Sequence, residues 1–157
     1  MIVFKEKPVT LYHVTKKENL QEILKYGLLI NKFKDRPENK LLGISKTGLI
    51  YFNLDKNKLV KPLRKDKDIL LKIEIPRDVY DKMPKILGDP EWEISKKQRD
   101  YFKYKAEIMK KAYPESFKDK SIEDIRKKAT PLEYMSPENT VCLLCDVPKE
   151  YIKYGDI

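Results

Sequence analysis

The pattern of apolar and polar positions predicts four β-strands in this chain. Each predicted strand is rich in β-branched or aromatic residues, and turn-forming residues separate one strand from the next. The segments are residues 9–14, the part of 44–53 that follows Gly48, residues 68–76 and residues 140–147. The third segment alternates after Leu71 and ends at Pro76, since proline has no amide hydrogen with which to extend a ladder.

A helix follows the first strand. Leu20, Ile23 and Leu24 recur at helical spacing, and Gly27 stands where a glycine commonly ends a helix. Residues 15–18 read Thr-Lys-Lys-Glu, the pattern of a capping box in which side chains satisfy the first amides of a helix. The pattern therefore predicts strand, capped helix and glycine stop within residues 9–28.

The remaining segments are more polar. Residues 28–40 are basic and contain Arg36-Pro37, which favours a loop that covers a site, and residues 55–61 suggest a short helix. Residues 92–113 are charged and aromatic with helical spacing, and a further helix is expected over residues 121–128. Strands in the first half and at the end, with helices between them, predict a single α+β domain spanning residues 1–157.

Composition excludes some classes of protein. Hydrophobic residues make up 41% of the 157 positions and charged residues 38%, which argues against both a membrane protein and a disordered chain. No apolar run approaches the roughly 20 residues of a membrane-spanning helix. The first residues lack the basic, apolar and small-residue order of a signal peptide, so we expect a cytoplasmic protein without membrane association.

The chain is strongly basic. Lys and Arg number 34 against 25 Asp and Glu, a net charge of +9 that attracts nucleic acid first and an anionic membrane surface second. The lysines are spread among acids along the chain, however, a pattern that is also typical of an ordinary solvated surface. Residues 101–105 interleave aromatic rings with lysines, which suits stacking on unpaired bases or a plain amphipathic helix.

The two cysteines, Cys142 and Cys145, have the spacing of redox and zinc motifs. Zinc needs about four ligands, and His13, the chain's one histidine, is remote in sequence. The cysteines flank two leucines in an apolar run, whereas a reactive thiol needs a polar and exposed setting. This context favours a buried strand, and we expect no metal.

Three residues could carry chemistry. His13 ends a predicted strand just before a helix, where exposed backbone amides suit a phosphate-bearing ligand. Tyr51 lies in the second strand, and Glu133 stands among apolar neighbours that could raise its pKa. Each also has an ordinary alternative: a packed histidine, a core aromatic and a surface carboxylate.

Together the three residues resemble a known set. Residues 11–28, LYHVTKKENLQEILKYGL, resemble the opening motif of ADP-ribosyltransferases of the diphtheria-toxin and poly-ADP-ribose-polymerase type, in which a strand ends in His and Gly-Leu closes the following helix. Residues 48–52, GLIYF, resemble the second motif, and residues 132–135, LEYM, the third, a Glu at the start of a late strand. Tyr-His-x-Thr, Asn19-Leu20 and Tyr51-Phe52-Asn53 are most similar to DarT-type DNA ADP-ribosyltransferases.

The resemblance implies an ADP-ribosyltransferase-like domain with a split, mainly antiparallel sheet and flanking helices. It implies NAD as substrate, with His13 bonding a ribose hydroxyl, Tyr51 stacking on nicotinamide and Glu133 bonding the nicotinamide ribose. The cleavage passes through an oxocarbenium-like state, as in glycoside hydrolysis. The NAD-binding residues that it implies are His13, Val14, Thr15, Asn19, Arg36, Tyr51 and Asn53.

Alternatives remain for the site residues and for the function. Many enzymes of this type have glycine where this chain has Val14, and Glu138 and Glu150 are alternatives to Glu133. The resemblance implies transfer of ADP-ribose to a nucleic acid, or to a protein, in a toxin–antitoxin or phage-defence setting. An RNA 2′-phosphotransferase and a catalytically inactive module that binds nucleic acid or protein are the other readings.

Overall fold

The computed structural model describes residues 6–33, 36–43 and 48–155. Residues 44–47, within the segment of the second predicted strand, lie outside the described residues. The strands are β1 (Val9–Lys16), β2 (Ile50–Asn53), β3 (Asp68–Ile75), β4 (Lys85–Leu87), β5 (Thr140–Leu143) and β6 (Ile152–Lys153). The α-helices are α1 (Leu20–Tyr26), α2 (Pro37–Leu42), α3 (Arg77–Lys82), α4 (Glu91–Ser95), α5 (Tyr101–Ala112), α6 (Pro114–Phe117) and α7 (Ile122–Lys127).

The six strands form one sheet in the order β4-β5-β2-β1-β3-β6, with every neighbouring pair antiparallel. Strands β1 and β3 pair along their whole length, from Val9 opposite Ile75 to Lys16 opposite Asp68. In contrast, β1 and β2 are in register at one position of the described chain, Tyr12 opposite Asn53. The sheet is therefore two well-paired halves that diverge between β1 and β2, and the α+β class with an antiparallel sheet and flanking helices is confirmed.

The main core lies on one face of this sheet. Leu11, Phe52, Leu71 and Val141 come from four adjacent strands and have no exposed surface. Residues that alternate along a strand point to the same face, so the apolar period of β1 and β3 builds this layer directly. Ile23 of α1 packs into the same cluster.

The helices between β4 and β5 are fixed by capping and by a second buried group. The side chain of Asp100 accepts a hydrogen bond from the Lys103 amide at the start of α5, 3.1 Å away. Ser121 caps α7 in the same way at 3.2 Å, as its sequence position predicts. Tyr101 of α5 donates its hydroxyl to the sulfur of Met135 at 3.0 Å, and both side chains are buried. No helix of the described chain is long and apolar enough to cross a membrane.

The predicted capping box at residues 15–18 is wrong. Strand β1 continues to Lys16, a 3₁₀ turn occupies Lys17–Asn19, and α1 begins at Leu20 without a side-chain cap. Pairing with β3 extends the strand, since the Lys17 amide donates to the Lys67 carbonyl at 2.8 Å. The ladder therefore takes the residues that the capping pattern assigns to a helix start.

The predicted helix at residues 55–61 is also wrong. The segment forms turns in which side chains accept the backbone amides: the Asn57 amide donates to Asp55 and the Val60 amide to Asn53, both at 2.9 Å. Such local bonds compete with helical pairing. Helix α3 and the short strands β4 and β6 were not predicted, because six, three and two residues are too few to show a period.

Gly27 allows the close approach between the end of α1 and the segment after β5 to be tested. Its φ of 85° and ψ of −172° lie in a region open to glycine, and an added Cβ would collide with the Val147 carbonyl oxygen. We expect Gly27→Ala to lower the free energy of unfolding by ~3 kcal/mol or more. Gly43 is the control: its φ is 63° with open space around it, so Gly43→Ala should cost about 1 kcal/mol. Urea denaturation of the two variants measures the difference, and equal losses would contradict the assignment of the collision.

Candidate active site

His13 and Tyr51 meet where the two halves of the sheet diverge. His13 Nδ1 lies 2.8 Å from the backbone carbonyl oxygen of Tyr51, although the two residues are 38 positions apart. His13 is 4% exposed, and it follows Tyr12, the β1 residue that pairs with β2. The imidazole thus replaces ladder hydrogen bonding at the point where the strands separate.

This bond determines the state of the imidazole. A carbonyl oxygen can only accept, so Nδ1 carries the hydrogen and Nε2 carries the lone pair. Burial lowers the pKa of His13 to about 4. The positive charges of Arg36 and Lys61 also lower this pKa, whereas the hydrogen bond to the Tyr51 carbonyl raises it. At neutral pH the ring is therefore uncharged, and Nε2 is available to accept a hydrogen bond.

Aromatic rings and a guanidinium surround this histidine. The rings of Phe33 and Phe52 have their centres 5.9 and 5.4 Å from that of His13. The Arg36 guanidinium lies 5.1 Å from the Phe33 ring centre and 5.5 Å from that of Tyr51, a cation–π arrangement. Phe33 and Arg36 of the basic segment 28–40 thus contact the site, and the described part of that segment contains a 3₁₀ turn, Ile30–Phe33, and the start of α2 where a loop was predicted.

The Arg36 guanidinium also lies near a carboxylate. Glu38 of α2 has a carboxylate oxygen 3.9 Å from the Arg36 guanidinium and accepts a hydrogen bond from the Tyr113 hydroxyl. Burial and this hydrogen bond raise the pKa of Tyr113, so its hydroxyl stays protonated and donates. Sequence reasoning missed Phe33, Glu38 and Tyr113, since their roles arise from contacts between distant segments.

Tyr51 itself is half-buried on β2 opposite Cys142 of β5. Burial raises the pKa of its hydroxyl, and the negative charge of Asp89 adds to that effect. Burial likewise raises the pKa of the Cys142 thiol, which excludes a thiolate at this position near neutral pH. The expectation that Cys142 occupies a buried strand is confirmed, while Cys145 lies just beyond β5 and is partly exposed.

The other residues predicted to bind NAD have contacts of their own. Val14 and Thr15 are buried beside His13 on β1, and the Asn19 amide lies 3.5 Å from the Thr15 hydroxyl. The side-chain oxygen of Asn53 accepts the Val60 amide at 2.9 Å. No cluster of three or more His, Cys, Asp or Glu side chains within residues 6–33, 36–43 and 48–155 has an arrangement able to hold a metal ion.

Glu133 does not start a strand, contrary to the prediction. It is exposed on a 3₁₀ turn, Leu132–Met135, and β5 begins only at Thr140. Prolines flank the segment, and proline, which cannot donate to a ladder, is disfavoured within a central strand.

The described contacts of His13 likewise include neither Glu138 nor Glu150. Glu133 and Glu138 border one groove beside Trp92, and Glu150 stands on a 3₁₀ turn before the edge strand β6. The structure thus brings His13, Tyr51 and Arg36 together, whereas the carboxylates whose charge bears on Tyr51 are Asp89 and Glu38.

Comparison of the chain with protein-family models, with curated proteins and with solved structures gives no match.

The state of His13 can be measured directly. Because its folded pKa is lowered, the unfolded chain takes up a proton below pH 6.5 that the folded chain refuses until about pH 4. The stabilising contribution of the neutral ring is complete above pH 6.5, and between these limits it falls by about 1.4 kcal/mol per pH unit. The measurement is urea denaturation from pH 7 to pH 4 of the wild type and of His13→Asn, whose amide can still donate to Tyr51. The difference between the two proteins in the slope of unfolding free energy against pH gives the contribution of the imidazole.

Nitrogen NMR of the single histidine gives an independent check. We expect the Nδ1–H tautomer at neutral pH and no protonation until well below pH 6. An imidazole that titrates near 6.5 would contradict the buried, hydrogen-bonded geometry.

Proposed function

We propose that this protein is an NAD-dependent ADP-ribosyltransferase whose acceptor is a nucleic acid. One observation carries the proposal: the His13 imidazole donates to the Tyr51 carbonyl at the divergence of β1 and β2, so the strand segments that carry the first two residues of the resemblance meet at one point. His13 and Tyr51 are 38 positions apart in the sequence, and the resemblance includes each of them without reference to this contact.

The geometry suits the chemistry of NAD cleavage. The bond between nicotinamide and ribose breaks through a cation-like state, so a catalyst has to orient the ribose and the ring and place charge correctly. The neutral Nε2 of His13 accepts a hydrogen bond from a ribose hydroxyl, while the Tyr51 ring stacks on nicotinamide. The Arg36 guanidinium lies over the Tyr51 ring, so this ring face accepts a flat cation, and the nicotinamide ring of NAD would take the place of the guanidinium there.

The choice of nucleic acid as acceptor rests on charge. A net charge of +9 favours a polyanion over a neutral or basic protein surface. The ring-and-lysine stretch of α5 contributes less than its sequence suggests, because Tyr101 is buried and Phe102 is the ring most exposed there, at 39%. A protein acceptor, including an antitoxin partner, is therefore a separate arm of the experiment.

The test is transfer of label from NAD that is radioactive in its adenylate. Single-stranded DNA, duplex DNA, total RNA and cell lysate are offered in parallel, with nicotinamide release followed in the same samples. Label should enter one nucleic-acid class, and Tyr51→Ala and His13→Ala should each reduce transfer by about 100-fold or more. Tyr26→Ala is the matched control, since that tyrosine is 54% exposed on α1 and should leave transfer unchanged.

Other results would replace this proposal. Release of ADP-ribose cyclic phosphate from 2′-phosphorylated RNA would identify the related phosphotransferase reaction. Salt-dependent binding of nucleic acid without any nicotinamide release would identify an inactive binding module. Equal transfer by the wild type and Tyr51→Ala would remove the site described above from the mechanism.

A further inference from the structure

We propose that Asp89, rather than Glu133, is the carboxylate of this site and accepts the proton that the acceptor loses as it attacks NAD. The inference rests on the proposed function and names a residue that lies outside the motifs of the resemblance.

Asp89 reaches the site through the pairing of three strands. It follows β4 and Gly88, whose amide donates to the Thr140 carbonyl at 2.8 Å. The Cys142 thiol lies 3.7 Å from the Gly88 carbonyl, and Cys142 is the direct partner of Tyr51 in the sheet. Opposed residues in an antiparallel pair project to the same face, so the chain at Asp89 arrives beside the face that carries the Tyr51 side chain.

The carboxylate of Asp89 is buried and only partly engaged. Its side chain is 9% exposed, and Oδ1 accepts the Glu91 amide at 2.8 Å. The described residues provide no hydrogen bond to Oδ2, which therefore keeps some exposed surface, since no fully buried side-chain oxygen among them lacks a partner. The neighbouring Lys105 pairs with Glu91 instead, at 2.6 Å. A largely buried carboxylate without a direct cation is costly, and such groups are enriched at functional sites.

The surroundings keep this carboxylate weakly basic near neutral pH. Burial raises the pKa of Asp89 to about 6, with the negative charges of Glu91 and Glu38 adding to the rise and the charge of Lys105 opposing it. The groups that face it from the packed elements are Glu38 of α2, Tyr51 of β2, Glu91 of α4, Tyr101 and Lys105 of α5, and Cys142 of β5.

A nucleophilic oxygen or nitrogen of the acceptor forms a bond to C1′ of the nicotinamide ribose, while the bond from C1′ to nicotinamide breaks. Nicotinamide leaves with that electron pair as a neutral molecule. The acceptor's proton moves to Asp89 and then to water, so no oxidant or metal is needed.

A capping role would explain Asp89 without catalysis, and the substitutions are chosen to separate the two. Asparagine keeps the side-chain oxygen that accepts the Glu91 amide but removes the charge, so Asp89→Asn should fold with nearly the wild-type melting temperature. If Asp89 is the base, this variant loses about 100-fold or more in transfer. Asp89→Glu restores a carboxylate and should recover part of the rate even if placement suffers.

The pH profile is a readout that capping would not change. In the wild type, kcat/KM for transfer should rise with pH to a plateau through a midpoint near 6, because the ionised carboxylate is the active form. Asp89→Glu should keep an acid limb and Asp89→Asn should lose it. Glu93→Gln, which removes an exposed carboxylate from α4, the short helix that follows Asp89, should leave both rate and profile at the wild-type level.

Each outcome either supports or overturns the assignment of Asp89 as the base. Retained transfer and an unchanged acid limb in Asp89→Asn overturn the inference while leaving the proposed function in place, and the same loss in Glu133→Gln then assigns the base there. Loss of the limb together with the rate supports Asp89. A wild type that releases no nicotinamide with any acceptor overturns both proposals, which distinguishes that failure from the failure of Asp89 alone.

Discussion

The hydrogen bond from His13 to the Tyr51 carbonyl is the contact on which the site depends. Strands β1 and β2 are in register at one residue pair of the described chain, so little backbone pairing holds the two halves of the sheet in relation to each other. The imidazole supplies a side-chain link at 2.8 Å across that gap. Because the link buries the ring between Phe33 and Phe52, the same geometry that joins the halves also keeps the histidine uncharged.

Charge around Tyr51 is arranged on two sides. Arg36 lies over the ring with Glu38 close to its guanidinium, while the chain beyond β4 brings Asp89 near on the side of Cys142. Neither Arg36 nor Asp89 lies on β1 or β2, the strands that carry His13 and Tyr51. The sheet therefore places the aromatic and imidazole groups, and the connecting segments supply the charges, a division that is common where a rigid scaffold presents functional loops.

Strong local patterns predicted the frame of the molecule, and long-range contacts decided the rest. Strand β3, the Ser121 cap and the glycine stop at Gly27 each follow from a few neighbouring residues. Asp89 lies in Gly-Asp-Pro, which is typical of an exposed turn, and its burial depends on residues more than forty positions away. His13, Tyr51 and Arg36 were found through a resemblance, because no local pattern indicates that a strand residue on β1 will contact one on β2.

The depressed pKa of His13 has a consequence for the reaction proposed here. When nicotinamide leaves, positive charge moves from the pyridinium ring to the ribose, and a protonated imidazole beside that ribose would oppose the change. A surface histidine near its usual pKa would be partly charged at neutral pH, whereas burial and the charges of Arg36 and Lys61 hold this ring neutral. The hydrogen bond to Tyr51 leaves Nε2 as the acceptor, so the ring can orient a hydroxyl without adding charge. The burial and the hydrogen bond through which His13 joins the two halves of the sheet thus also make the ring suitable beside a developing cation.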